Sequence, residues 1–250
     1  MTNRRMLAAE RRNKLIQIIN STGSIRIGEL AALFGVSTET IRKDLIFLSE
    51  NGSVERSFGG AVSLSQFHEK PLDTRSAEHP NEKRAIAIKA LEHIERDRVI
   101  FLDSGSTALE VARLITPDMG LSIATNSLSA ANVLCQSGVP FNMIGGEFSP
   151  ITMSNTGFWA HNSISTIRFD IAILGASGFF TSDGPSVKTF ADAQLKRDVI
   201  AHSNRRIVVA DSSKFGMDAV VCYASWRDID MLITDSGAAD ADIPCNVIKA

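Results

Sequence analysis

Nowhere does the 250-residue chain approach the ~20 consecutive apolar residues that a membrane-spanning helix requires. Its first dozen residues, Met1 to Arg12, are charged and lack the apolar stretch of a secretory signal. The expectation is a cytoplasmic protein with no membrane partner. Cysteine is scarce: Cys135, Cys222 and Cys245 stand far apart, none at metal-ligand spacing from another, and an odd, scattered set is no disulfide framework. They read as packing residues, and neither metal nor cofactor is expected. None of the five histidines has a motif around it: His68 and His79 fall in a polar stretch, His93 and His202 on helical patterns, and His161 near one. Such residues are more often on a helix face than catalytic. Internal repeats and low-complexity segments are also missing.

A large charge of one sign is absent too, since the net charge is −2. That total conceals an asymmetry. Residues 1–60 carry nine Lys and Arg against six Asp and Glu, while residues 61–250 carry 17 against 22. A small basic head on an acidic body suits a chain that meets phosphates at one end only. What is plentiful is apolar side chain, 44% of the sequence, enough for a small domain plus a larger one.

Leu15, Ile18 and Ile19 recur at helical spacing and predict a first helix over about residues 8–21, stopped at Ser21-Thr22-Gly23. Ile27, Leu30, Ala31 and Phe34 give a short second helix with Gly35 as its left-handed stop. Ser37 or Thr38 then caps a third helix that buries Ile41, Leu45 and Leu48, turns Thr38, Thr40, Arg42 and Lys43 outward, and ends at Asn51-Gly52. Two extended pieces, about 53–57 and 61–64, flank Phe58-Gly59-Gly60, a hairpin turn needing positive φ. Three helices followed by a glycine hairpin are the layout of a winged helix-turn-helix, whose third helix enters the DNA major groove. There Arg42 would donate two hydrogen bonds to a guanine edge, with Thr38, Thr40 and Lys43 on phosphates or a base edge. The same periodicity also fits a small helical bundle whose charges merely face water.

From Phe67 to Pro80 the chain is polar and interrupted by Pro71 and Pro80, which predicts an interdomain linker too irregular for a rigid helix. The resulting division is 1–65 for the DNA-binding domain, 66–80 for the linker and 81–250 for the second domain. Beyond the linker, a helix at about 81–95 precedes apolar strand patterns at 99–102, 121–125, 141–144, 171–174, 207–210 and 231–234. Helical patterns at 107–115, 128–135, around 159–167, and at 191–202 separate most of them, which predicts an α/β domain with a mostly parallel sheet covered on both faces. Three small, polar loops follow adjacent strands: Asp103-Ser104-Gly105-Ser106-Thr107, Thr125-Asn126-Ser127 and Gly145-Gly146-Glu147. The first two open helices, whose N–H groups attract an anion, and together the loops mark where an open α/β sheet takes its ligand.

The residues themselves carry a resemblance over nearly the whole length. Glu10-Arg11-Arg12-x-x-x-Ile16, Glu29-Leu30-Ala31, Val36-Ser37-Thr38-Glu39-Thr40-Ile41-Arg42-Lys43-Asp44-Leu45 and Arg56-x-x-Gly59-Gly60-Ala61 together resemble the N-terminal signature of DeoR-type repressors. The resemblance makes Ser37, Thr38, Thr40, Arg42 and Lys43 the candidate DNA-binding residues of the third helix, with Arg56, Gly59 and Gly60 on the wing. Phe58 departs from the His usual before the glycine pair. Lys83-Arg84-x-Ile86-Ala87, Asp170-x-x-x-Leu174-Gly175, Lys196-Arg197, Ala210-Asp211-Ser212-Ser213-Lys214-Phe215-Gly216 and Ile233-Thr234-Asp235 resemble the effector domain of the same family, which is similar to sugar-phosphate isomerases. The resemblance implies that Ser104, Gly105, Ser106 and Thr107 hold a phosphate with Asn126 and Ser127 beside it, that Asp103 and Glu147 bond sugar hydroxyls, and that Lys214 neutralises charge. Ser177 stands where many members have Asp, and Val187-Lys188-Thr189-Phe190 replaces a Thr-x-Asn-Glu stretch, which points to an unusual, more acidic or less hydroxylated effector.

The function implied is a regulator, expected to be a repressor, of a carbohydrate-catabolism operon. Its partners would be a double-stranded operator, a phosphorylated sugar and further copies of itself as a dimer or tetramer. Two alternatives are a sugar-phosphate isomerase or deaminase with a DNA-binding head, and an architectural DNA-binding protein without a ligand. An isomerase needs a carboxylate base paired with a second acid, and Gly175-Ala176-Ser177-Gly178 lacks that pair. An architectural protein has no use for three convergent loops.

Overall fold

The computed structural model describes residues 8–22, 24–51, 53–57, 59–62, 69–180, 183–217, 219–238 and 243–250. It divides into two compact units, Met1–Glu69 and Lys70–Ala250.

In the first unit the helices are α1 (Ala8–Thr22), α2 (Ile27–Phe34) and α3 (Thr38–Glu50), with strands β1 (Ser24–Arg26), β2 (Glu55–Ser57) and β3 (Gly60–Val62). Leu15, Ile19, Leu30, Ile41, Leu45 and Leu48 recur every third or fourth residue and bury one stripe of each helix in a shared core closed by Val54 and Ala61. Gly35 stops α2 in the left-handed region, φ 61°, its N–H donating to the Ala31 and Ala32 carbonyls. Ser37 caps α3 by accepting from the Thr40 N–H at 3.2 Å. The hairpin joins β2 to β3 in antiparallel register, Ser57 opposite Gly60. It gains a third strand that the sequence pattern does not show, because β3 also pairs with β1. Close approach there requires Gly60: a Cβ on it would lie 2.5 Å from the Ile25 carbonyl oxygen.

The second unit begins with α4 (Leu72–Ala77) and α5 (Pro80–Leu91). A seven-stranded sheet follows, built from β4 (Val99–Leu102), β5 (Ser122–Thr125), β6 (Phe141–Met143), β9 (Phe169–Leu174), β12 (Ser203–Val209), β14 (Met231–Thr234) and β15 (Asn246–Lys249). Its order is β15-β14-β12-β9-β4-β5-β6 and every pairing is parallel. Alternate strand residues feed opposite cores. Ile100, Leu102, Ile123, Ile171, Ile173 and Ile207 pack with α5, α6 (Ser106–Leu114) and α7 (Leu128–Gln136). Phe101, Ala124, Ala172, Leu174 and Val208 pack on the other face with α8 (Phe158–Ser165) and α9 (Phe190–Ala201). The ribbon of β7 (Glu147–Ser149) and β8 (Ser154–Thr156), and a small sheet of β10 (Gly178–Phe180), β11 (Gly184–Val187) and β13 (Val221–Cys222), complete the unit. Strand order reverses between β4 and β9, and a doubly wound sheet opens its ligand crevice at such a reversal, beyond the carboxyl ends of the strands.

The expectation of an irregular linker over 66–80 is corrected in its second half. Leu72–Ala77 is helical, Leu72 is buried in the core of the second unit, and its N–H donates to the Ile151 carbonyl at 3.0 Å. Six residues with one apolar anchor are too few to show a period, so the segment reads as polar coil. Residues 63–68 lie outside the described part. Among the described residues no helix is long and apolar enough to cross a membrane.

Candidate functional site

The outward face of α3 presents Thr38, Arg42 and Lys43, all exposed, with Thr40 half-buried. Arg42 donates to Glu39 at 2.6 Å, one turn back on the same exposed face. Exposed pairs of this kind are worth about 0–1 kcal/mol, so the guanidinium is easily traded to a stronger acceptor. Gly59 has φ 87° and its carbonyl accepts from Ile27 N–H at 3.0 Å, which fixes the hairpin to the start of α2. Arg56 lies on β2 opposite Ala61, placed by its backbone alone, and Phe58 lies outside the described residues.

What aims α3 is a cluster the periodicity does not reveal. Asp44 points inward and is buried, with Arg11 on one carboxylate oxygen at 2.6 Å and Arg12 on the other at 2.8 Å. The Arg12 guanidinium also lies 3.8 Å from the centre of the Phe47 ring. Two arginines of α1 thus fork onto one acid of α3. Their signal was legible as three charges among apolar residues on facing helix stripes, yet charge runs usually face water, and no role was read from them.

In the second unit, Asp103, Asn126 and Asp211 follow β4, β5 and β12 and are all buried. Leu102 pairs with Thr125, which puts Asp103 and Asn126 side by side at the strand ends. Asp103 is held from behind: one oxygen accepts from Gly175 N–H at 2.8 Å and from the fully buried Lys196 ammonium of α9. Burial drives that ammonium toward neutrality, but attraction to Asp103 and Asp192 outweighs it and holds the Lys196 pKa above the ordinary lysine value. The Tyr223 hydroxyl donates to the Gly175 carbonyl at 3.0 Å, and burial followed by the charge of Asp103 pushes its pKa well up. Three oxygens remain: Asp103 Oδ1, Asn126 Oδ1 and Asp211 Oδ2 are buried acceptors with no hydrogen-bond partner among the described residues. A buried acceptor left unpaired costs about 1–3 kcal/mol, so three at one sheet edge ask for hydroxyl or amine donors from outside.

Gly105, φ 130°, lies between Asp103 and α6, whose first turn carries the buried residues Ser106 and Thr107. The first N–H groups of a helix have no intrahelical acceptor, so loop and helix end form an anion cradle. Arg75 of α4 hangs over it, its Nη1 4.0 Å from where a Cβ on Gly105 would stand. Its own backbone is anchored by Lys83, which is buried on α5 and donates to the Arg75 carbonyl and, at 2.5 Å, to that of Glu78. Burial pushes the Lys83 pKa below the ordinary lysine value. Asp211 and Glu78 pull it back, while the charges of Lys214 and Arg75 depress it further. Three cations, Lys83, Lys214 and Arg75, therefore share one neighbourhood with two carboxylates, Asp211 and Glu78.

The structure thus brings Asp103, Ser104, Gly105, Ser106, Thr107, Asn126 and Ser127 to neighbouring strand ends, with Lys214 near Lys83. Ser127 spends its hydroxyl capping α7, accepting from Ala130 N–H at 3.2 Å. Glu147 is exposed on the β7–β8 ribbon, packed against Gly157 at the head of α8. Arg75 and Lys196 are site residues to which sequence reading assigned no role, the first because its segment looked like linker. Among the described residues no cluster of His, Cys, Asp or Glu is placed to hold a metal.

Two family models match the chain: a DeoR-like helix-turn-helix domain over residues 11–67 and a DeoR C-terminal sensor domain over 78–236. YulB of Bacillus subtilis (strain 168), an uncharacterized HTH-type transcriptional regulator, is 36% identical over 95% of this chain and 93% of its own length. The glycerol-3-phosphate regulon repressor of Escherichia coli (strain K12) is 34% identical over 92% of each chain. Among solved structures, ribose 5-phosphate isomerase A from Methanocaldococcus jannaschii aligns over 55% of each chain at 19% identity, TM-score 0.39. With both halves matched in order, the chain belongs to the DeoR family of helix-turn-helix transcriptional regulators.

Proposed function

We propose that this regulator represses a carbohydrate-catabolism operon in the cytoplasm, binding a two-half-site operator as a homo-oligomer and changing its grip on DNA when a phosphorylated sugar enters the crevice of the sensing unit. The observation that carries the reading is the pairing of an anion cradle with buried unpaired acceptors on one sheet edge. The Gly105 loop and α6, with Arg75, Lys83 and Lys214 close by, suit a phosphate, and the free oxygens of Asp103, Asn126 and Asp211 suit hydroxyls. A relative named for the glycerol-3-phosphate regulon supports a small phosphorylated ligand. On DNA, Arg42 reads a guanine edge after leaving Glu39, Ser37, Thr38, Thr40 and Lys43 hold phosphates or base edges, and Arg56, Gly59 and Gly60 form the wing contact.

An isomerase reading is disfavoured by the residues after β9. Moving a proton between carbons takes a carboxylate base paired with a second acid, and Gly175-Ala176-Ser177-Gly178 supplies no such pair.

The test is thermal unfolding of the full chain against sugar phosphates and their unphosphorylated counterparts. A ligand at 100 times its Kd adds about 2.7 kcal/mol of stability. Stabilisation by at least one phosphorylated sugar and by none of the matching free sugars is expected; a flat panel overturns the reading.

A further inference from the structure

Among the described residues of the sensing unit, the three most exposed large apolar side chains are aromatic and stand at the starts of two neighbouring helices. Phe158 and Trp159 open α8 with their rings 5.5 Å apart, edge to face, and are 65% and 69% exposed. Phe190 opens α9 and is 75% exposed. Between the two helices runs a groove of about 400 Å³, with Phe158 on one wall and Ala191 and Leu195 on the other. The core needs none of these rings, since α8 already buries Ala160 and Ile164, and α9 buries Ala193, Leu195 and Val199.

At those exposures the three rings leave roughly 450 Å² of aromatic surface in water, taking 150–250 Å² per aromatic side chain. A stable interface buries about 800 Å² on each partner, somewhat over half of it apolar. The rings alone thus supply about the apolar share of one side. Polar groups at the groove are already satisfied: Asp198 accepts from Gln194 at 2.9 Å and is paired with His161 Nδ1 at 2.8 Å, so covering the groove strands neither carboxylate oxygen. Protruding rings beside an apolar groove put a knob and a hole on one face, as a two-fold contact between identical copies requires.

We propose that this face of α8 and α9 joins two copies of the chain, each inserting an aromatic ring into the groove of the other. The inference rests on the homo-oligomer reading above and adds the surface and the residues. It also gives that surface a connection to the crevice, because the inner side of α9 delivers Lys196 to Asp103.

The experiment is sedimentation of the full-length protein over a range of concentrations, comparing wild type, the double variant Phe158→Ala/Trp159→Ala, and Ile88→Ala as a control for an exposed apolar residue on α5. The double variant is expected to dissociate at least tenfold more readily, with the control unchanged and sugar-phosphate stabilisation retained. A second readout needs no variant. Of the two tryptophans, Trp226 is buried, so iodide reaches Trp159, and quenching of the wild type is expected to rise as dilution separates the copies. A wild-type oligomer that the double substitution leaves intact, or quenching that stays constant through dissociation, overturns this interface and leaves the homo-oligomer reading standing. A wild type that is a monomer even on a two-half-site operator overturns both.

Discussion

Lys196 and Asp103 form an ion pair wholly inside the sensing unit, the ammonium seated on one carboxylate oxygen while the other has no hydrogen-bond partner among the described residues. The pair sits where the strand order reverses, so one acid braces the β4–β9 junction through Gly175 and Lys196 and keeps its second oxygen unpaired.

Breaking that pair on one side leaves an uncompensated buried charge, so Asp103→Asn and Lys196→Met are each expected to cost about 3–5 kcal/mol of sensing-unit stability. The double variant should recover part of the loss. Because the Lys196 pKa is raised, its contribution is fully present below the ordinary 10.5 and is lost only as pH climbs through the higher folded value. Urea unfolding followed by the buried Trp226 tests both statements, and two single losses that simply add would show that the residues are not coupled.

In the DNA-binding unit, Asp44→Ala removes the acceptor shared by Arg11 and Arg12. Both arginines reach water at their edges, so the expected loss is about 1–3 kcal/mol rather than that of a fully buried pair. Hydrogen exchange should quicken in α1 and α3 while the sensing unit keeps its protection. Unchanged exchange in α3 would mean that the fork does not hold the recognition helix.

Arg42→Ala is expected to weaken specific operator binding by about 1–3 kcal/mol and to relax one base preference, whereas Lys43→Ala should weaken all sequences about equally. Loss of affinity without loss of base preference in the Arg42 variant would reduce it to a phosphate contact. Measurements at one fixed salt concentration are required, since salt alone moves these affinities.

Much of this was legible in the sequence. Ile41, Leu45 and Leu48 at helical spacing, Ser37 as a cap and Gly35 as a stop place α3 to within a residue, because each is a local rule. β4 and β14 appear at their predicted bounds, since strands buried on both faces read as unbroken apolar runs. The edge strand β15 and the three-residue strands β1, β7, β8 and β10 do not show, as neither alternation nor an apolar run develops in so few half-exposed residues. Arg75 and Lys196 escaped for another reason. A charge reads as solvated until tertiary structure supplies its counter-charge, and Asp103 lies 93 residues from Lys196.

The lowered Lys83 pKa gives effector binding a pH dependence of known sign. A phosphate beside Lys83 favours its charged form, so the complex takes up a proton wherever the free Lys83 is partly neutral, and affinity falls as pH rises through that lowered value toward 10.5. Calorimetry in buffers of different ionisation enthalpy should register the uptake. Affinity that stays independent of pH all the way to the ordinary lysine value of 10.5 would place the phosphate away from Lys83.

The central claim is that one crevice in the sensing unit sets the grip on DNA. It is tested most directly by titrating a two-half-site operator with wild type, Gly105→Asp and Arg75→Ala, with and without the stabilising sugar phosphate. Gly105→Asp adds a like charge and a side chain in the left-handed region at the cradle, and Arg75→Ala removes a cation above it. The account predicts that the ligand changes wild-type affinity 5–150-fold, equivalent to about 1–3 kcal/mol of coupling, and that both variants bind the operator normally without responding. A wild-type response preserved in both variants at the same ligand concentration would contradict it.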